Sequence, residues 1–319
     1  MRIFLTGATG VVGRRAVPLL VEAGHRVTAV GRTPEKRAAL SRAGATPVDL
    51  DLFDPQAVGP ALAGHDAVVN LATHIPHSGT SMLLPGAWRE NDRIRRDASR
   101  ILVDAAIAQG VPRFIQESFA PMYADAGDAW IDETSPIQPA RYNRSTVDAE
   151  RSAERITRNG GAGIVLRFSA LYGPDSPHAL ELIGYVRKGR APIPGSPGAF
   201  LSSVTNDDAA TAVVAALGLP AGIYNVTDDE PLRRREYFDT LAQTLRVAPP
   251  KPPPAWLMAL GGSLAKLMAR SLRISNRKLR QASGWRPRYP SAREGWKAIL
   301  EEIQGAGIAD RPARARASR

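Results

Sequence analysis

Three glycines lie within seven residues near the start of the chain, in Thr6-Gly7-Ala8-Thr9-Gly10-Val11-Val12-Gly13. The chemistry that such spacing serves is recognition of a diphosphate. Gly7 permits a tight exit from a strand. Gly10 lets the backbone approach a pyrophosphate without a side chain in the way. Gly13 lets the following helix pack closely on the strand. Thr9, Val11 and Val12 complete the turn. The free N–H groups and dipole at the helix start then favour the anion.

The second signal is Gly31-Arg32-Thr33, with Lys36 and Arg37 one turn on. At this point an NAD site places an Asp or Glu for the ribose 2′-hydroxyl, whereas an NADP site uses Arg near the 2′-phosphate. No carboxylate stands in this turn. Arg32 can grip a phosphate with two donors and stack on adenine. NADP(H) is therefore expected over NAD(H).

Both signals need particular elements around them. Ile3-Phe4-Leu5 reads as a buried strand, 16–23 as a helix ended by Gly24, and 25–30 as a second strand. This strand–turn–helix–strand order is the context that a dinucleotide fingerprint requires. Further strands are expected at 45–50, 66–72, 114–116 and 164–168, with helices between them. The alternation predicts an α/β fold, a doubly wound parallel sheet with helices on both faces. Ligands then lie beyond the C-terminal strand ends. That places Asp51 and Leu52 beside the adenine, and Leu71, Ala72 and Thr73 beside the middle of the cofactor. Asp51 can accept from the adenine amino group or cap the helix that follows.

The 319 residues can hold one large domain or two smaller ones, and there is no cysteine. Thiolate catalysis, disulfides and Cys-zinc sites are excluded. The first apolar run is too short for a secretory signal, and no run approaches a membrane span. A cytoplasmic location is expected. The net charge of +11 is mostly scattered Arg. Basic patches interleaved with aromatics are missing, so neither nucleic acid nor a membrane is the expected partner. Proline and glycine thicken past Pro174. The expected organisation is a nucleotide domain at 1–174, a smaller C-terminal α/β substrate domain at 175–305 interleaved with it, and a disordered basic tail at 306–319. A late helix at 256–272 carries an apolar stripe, expected to pack on the second domain.

The chain resembles the extended or atypical short-chain dehydrogenase/reductases, in the group of sugar-nucleotide epimerases and dehydratases. The resemblance rests on the glycine turn, Asp51-Leu52, Asn70-Leu71-Ala72, Leu171-Tyr172-Gly173-Pro174, Asp207-Asp208-Ala209 and Gly284-Trp285-x-Pro287. It implies a Rossmann-type sheet and catalysis by Ser or Thr with Tyr-x-x-x-Lys. Tyr142 matches the Tyr, with Glu150 further along the same helix. The Lys position holds Thr146, and no lysine occurs between Lys36 and Lys188. Without a nearby cation, Tyr142 should titrate near its ordinary value and act as a neutral proton donor rather than a base. The Ser position falls on Phe119, with Ser118 one residue earlier and facing the opposite side of the strand. Glu117, Tyr123, His74, His77, Asp132, Glu133, Arg141 and Asn143 are further polar candidates. No metal site is expected, because Pro76 interrupts the His74–His77 pair.

The resemblance implies an NADP(H)-dependent oxidoreductase acting on a small carbonyl or sugar-like substrate. Two alternatives stay open: a non-redox isomerase, cyclase or epimerase that keeps the nucleotide site, and a non-enzymatic NADP-binding regulator. Relatives commonly form homodimers through a four-helix contact. Here that contact would use 88–109 and 142–158.

Overall fold

The computed structural model describes residues 1–76, 78, 81–84, 86–191, 195–251 and 262–305. His77, the first part of the apolar helix expected at 256–272, and the tail 306–319 lie outside these.

Arg2–Thr6 (β1) buries Ile3, Phe4 and Leu5 completely, as a central parallel strand covered on both faces must. Gly13–Glu22 (α1) turns Ala16, Val17 and Leu20 into the core. Arg26–Val30 (β2) leads to Pro34–Arg42 (α2). There the Thr33 side chain accepts the Lys36 N–H, and Pro34 occupies the first turn. Thr46–Val48 (β3) is followed by Pro55–Leu62 (α3), started the same way by Asp54 and Pro55. Ala67–Asn70 (β4) is wholly buried.

The helix expected at 88–109 is three pieces. Arg89–Arg93 (α4) runs into a π-helical turn, Ile94–Ala98, and then into Ser99–Ala108 (α5). Arg113–Phe119 (β5) and the short Trp130–Ile131 (β6) follow. A single 3₁₀ turn at Arg141–Asn143 precedes Ser145–Arg158 (α6). Ala162–Phe168 (β7), Ala170–Tyr172 (β8) and Pro177–Arg187 (α7) come next. Phe200–Leu201 (β9), Ser203–Thr205 (β10), Asn206–Ala216 (α8) and Gly222–Val226 (β11) complete the middle of the chain.

Seven parallel strands form the main sheet in the order β3-β2-β1-β4-β5-β7-β11. The order reverses between β1 and β4, which opens the crevice where such sheets bind ligands. β11 comes from beyond residue 174, and α8 packs on α1, so the later part of the chain completes the first sheet. The rest of that part gathers a second core around Tyr172, Ile183, Tyr237, Phe238, Trp296 and Ile299. Its helices are α7, Arg234–Leu245 (α9) and Ala292–Gly305, while Arg277–Ser283 packs Leu279 into the first core. Among the described residues no helix is long and apolar enough to cross a membrane.

Candidate functional site

The three turn glycines have different neighbours. Gly7 sits at φ +68°, and a Cβ there would fall 2.3 Å from the Leu71 carbonyl. A Cβ on Gly13 would fall 2.2 Å from the Gly7 oxygen. Both positions are closed by packing. Gly10 is exposed, and its nearest neighbour is the Gly7 oxygen at 3.2 Å. Its N–H donates to the Gly7 oxygen at 3.0 Å, closing the turn. The N–H groups of Val11 and Val12, just ahead of α1, find no acceptor among the described residues. An open backbone face with unpaired donors at a helix start fits a diphosphate.

At the end of β2, Arg32 is exposed and makes no hydrogen bond or ion pair among the described residues. Arg37 is committed instead, to Asp49 at 2.7 Å and the Gly31 oxygen at 3.1 Å. Asp51 accepts the Phe53 N–H at 3.0 Å, so one carboxylate oxygen shapes its own turn. Leu71 and Ala72 are buried, and Thr73 is half-buried, at the end of β4. Beneath them runs a polar row across three strands. Thr6 donates to Asn70 at 2.6 Å, and Asn70 donates to Gln116 at 2.9 Å and to Ser99 at 3.1 Å. The register pairs Thr6 with Asn70 and Asn70 with Gln116, which sets these side chains at one level.

Tyr142 lies in the 3₁₀ turn ahead of α6, its ring 5.0 Å from that of Trp88. Its hydroxyl is buried and has no hydrogen-bond partner among the described residues. Burial pushes the phenol above its ordinary value, and Arg270 opposes the shift. Ser118 is drawn away into another group. Its hydroxyl donates to Glu150 at 2.5 Å, and Glu150 takes two bonds from Arg167 at 2.8 Å each. The Arg167 guanidinium also stands 4.9 Å from the Tyr123 ring. The structure thus brings Ser118, Glu150, Arg167 and Tyr123 together, a buried cluster in which none of the hydrogen bonds involves Tyr142.

Thr146 has a neighbour that sequence spacing does not reveal. Arg95, in the π-helical turn, is 2% exposed. It donates to the Thr146 hydroxyl at 2.9 Å and to Glu117 at 2.6 Å. A guanidinium from another helix therefore fills the space beside the position where the resemblance calls for lysine. Arg95 Nε and the second Glu117 oxygen are buried without partners. Residues 89–97 are almost all charged or polar, so nothing in the sequence set Arg95 apart from its neighbours.

The other candidates scatter. Tyr123 is buried, donates to Asn225 at 2.8 Å, and is pushed up to about 12 by burial. Asp132 holds its own turn through Thr134 and Ser135, whose donated bonds lower it. Glu133 accepts the Asn225 N–H at 2.8 Å. His74 is exposed, with its N–H on Asn91 at 2.9 Å. Arg141 is exposed. Asn143, next to Tyr142, is buried with both amide atoms unpartnered. Arg270 escaped the sequence reading altogether, because it is remote in sequence and no spacing rule connects it to Tyr142.

A family model described as NAD(P)H-binding matches residues 7–219. A 3-diazoavenalumate denitrifying reductase of a Streptomyces species is 32% identical over 309 residues, covering 92% of this chain and 99% of that protein. A decarboxylating sterol-4-alpha-carboxylate 3-dehydrogenase of Dictyostelium discoideum is 25% identical, covering 74% of each. Among solved structures, a UDP-glucose 4-epimerase of Thermotoga maritima with UDP-glucose superposes with a TM-score of 0.77 at 21% identity, covering 96% of this chain and 99% of that one. A human epimerase family protein with NADPH gives the same score and identity, covering 94% and 99%. At these identities the structures show the fold alone. The two curated relatives named are a reductase and a dehydrogenase, which supports an oxidoreductase role. With the match running over most of its length, the chain belongs to the NAD(P)H-binding family, and its fold is that of the epimerase/dehydratase structures.

Proposed function

We propose that the protein is an NADP(H)-dependent reductase of a small carbonyl or otherwise unsaturated substrate, with Tyr142 as proton donor. The observation that carries the cofactor preference is Arg32, exposed and unpaired among the described residues at the end of β2, in a turn without a carboxylate. The turn Gly7–Gly13 would hold the diphosphate, and Leu71, Ala72 and Thr73 would line its path. Bound there, NADPH supplies a hydride. The chain's own part is to hold the substrate oxygen near Tyr142. The phenol, kept neutral by burial, gives its proton to the oxygen as negative charge develops there, and water later restores it.

Calorimetric titration with NADPH and NADH tests the cofactor. NADPH should bind at least about tenfold more tightly, and Arg32→Ala should remove most of that difference. Equal or tighter NADH binding would defeat the reading. A second reading, isomerisation or epimerisation without net redox, is favoured by Thr146 standing in the lysine's place. Turnover without change in nicotinamide absorbance would select it.

A further inference from the structure

The short helix α4 and the residue just before it touch several parts of the crevice. Asn91 is fully buried, and its side-chain oxygen accepts the His74 N–H at 2.9 Å. His74 directly follows Leu71, Ala72 and Thr73 at the exit of β4. The Asn91 amide nitrogen is buried without a hydrogen-bond partner among the described residues. A leucine of similar size would bury no polar atom there, so the amide is kept at a cost for its bond to the strand exit. Asp92 accepts the Ser145 hydroxyl at 2.6 Å, at the first residue of α6. The Arg93 guanidinium lies 3.6 Å from the centre of the Phe53 ring, in the turn after Asp51 and Leu52. Trp88 precedes the helix. Its carbonyl oxygen accepts the Asp92 N–H at 2.8 Å, and its indole N–H donates to the Met82 oxygen at 3.0 Å. Its ring stands 5.0 Å from that of Tyr142, tilted by 39°.

We propose that α4 is a brace that sets the Tyr142 phenol against the exit of β4, with Trp88 and Asn91 as positioning residues. This rests on the reductase reading and adds the residues that fix its proton donor. Three ties join α4 and the π-helical turn to the start of the Tyr142 helix: Trp88 to Tyr142, Asp92 to Ser145, and Arg95 to Thr146. Asn91 joins the same helix to the strand that lines the proposed cofactor path. Five residues do not hold a helix in water by themselves, so these contacts decide where α4 sits. Trp88 and Asn91 are roughly 4.5 Å apart along the helix axis, less than one turn. A displacement at the His74 bond therefore reaches the indole with little loss. The Tyr142 hydroxyl forms no hydrogen bond among the described residues, so packing orients the phenol, and the ring in contact with it belongs to Trp88. A shift of about 1 Å at a reacting group costs on the order of 10²-fold in rate.

The test uses fluorescence and kinetics on the full chain. Wild-type emission minus that of Trp88→Phe isolates Trp88 from the other tryptophans. Asn91→Leu keeps the volume and removes the tie to His74. The Trp88 signal, taken as the same difference in that background, should change in wavelength or intensity, and an unchanged signal would overturn the proposal. Should the leucine variant not fold, Ser145→Ala cuts the same brace at Asp92 and decides by the same readout. No substrate is needed for this step. With a substrate that is turned over, Trp88→Leu and Asn91→Leu should each lower kcat by about 10- to 100-fold, with NADPH affinity within about twofold by calorimetry. Trp88→Phe, which keeps a ring, should recover most of kcat. The double variant should be no slower than the slower single, because both changes break one brace. Multiplicative losses, matching losses of kcat and NADPH affinity, or Trp88→Phe as slow as Trp88→Leu would each overturn it. The two readings fail separately. Turnover that survives Tyr142→Phe, with a Trp88 signal that answers to Asn91→Leu, would sink the proton donor and leave the brace standing. Turnover lost in Tyr142→Phe, with a silent Trp88, would do the reverse.

Discussion

Tyr142 keeps its proton because its hydroxyl is buried, without an acceptor among the described residues, and burial penalises the phenolate. A neutral phenol can donate to a developing alkoxide but is a poor base, so the proposed role of Tyr142 as proton donor predicts reduction rather than oxidation at neutral pH. Arg270 lowers the cost of the transient phenolate. Steady-state kinetics with an accepted substrate should show Tyr142→Phe losing about 10²- to 10⁴-fold in kcat with NADPH affinity nearly unchanged. The wild-type reductive rate should show no titration of Tyr142 between pH 6 and about 9, since its ionisation lies above the ordinary phenol value near 10. A rate loss in that range assigned to Tyr142 by its absence in the Phe variant would contradict this account.

The π-helical turn Ile94–Ala98 is the element that changes the meaning of the site. It adds a residue to the helical register, and such turns recur at functional sites. In it Arg95 reaches Thr146 and Glu117. Removing one partner of a buried pair strands the other charge, so Arg95→Met should cost about 3–5 kcal/mol in urea denaturation. Thr146→Lys alone should also destabilise, since Thr146 is fully buried and a second cation would meet Arg95. Combining Arg95→Met with Thr146→Lys should recover much of both losses, because the new ammonium can reach Glu117. Additive losses in the double variant would show that the cation beside position 146 is not shared between the two residues.

Across the whole molecule, the later chain is bound to the nucleotide crevice rather than hung beside it. Arg15, on the helix after the glycine turn, joins Asp175 at 3.0 Å and Asp207 at 2.5 Å. Asp228, just beyond β11, forms no ion pair among the described residues. It is fully buried, accepts from Ser203 at 3.1 Å, and is held well above the usual carboxylate range by burial. In the unfolded chain this group loses its proton near 3.8, before it does so in the fold. The native state therefore binds more protons, and stability falls as pH rises from about 4 until the folded group also ionises. Asp228→Asn keeps an acceptor for Ser203 and removes the charge. In urea denaturation it should be more stable than wild type by about 1–3 kcal/mol at pH 8, with the gap closing toward pH 4. A variant that is weaker at both ends of that range would show that the carboxylate itself is needed.

Read alone, the sequence established the glycine turn, the alternating strands and helices, Arg32 and the missing lysine. Each is local: a few residues whose spacing carries its own physical meaning, such as a Cβ at Gly13 that cannot fit against the Gly7 oxygen. Only the tertiary structure decided which charges meet. Arg95 and Thr146 are far apart in sequence, as are Arg270 and Tyr142, and Ser118 is claimed by Glu150 on a neighbouring helix. No periodicity links such pairs. Their meeting depends on the π turn's shift in register, on strand order, and on the return of the late chain over the loop after β5.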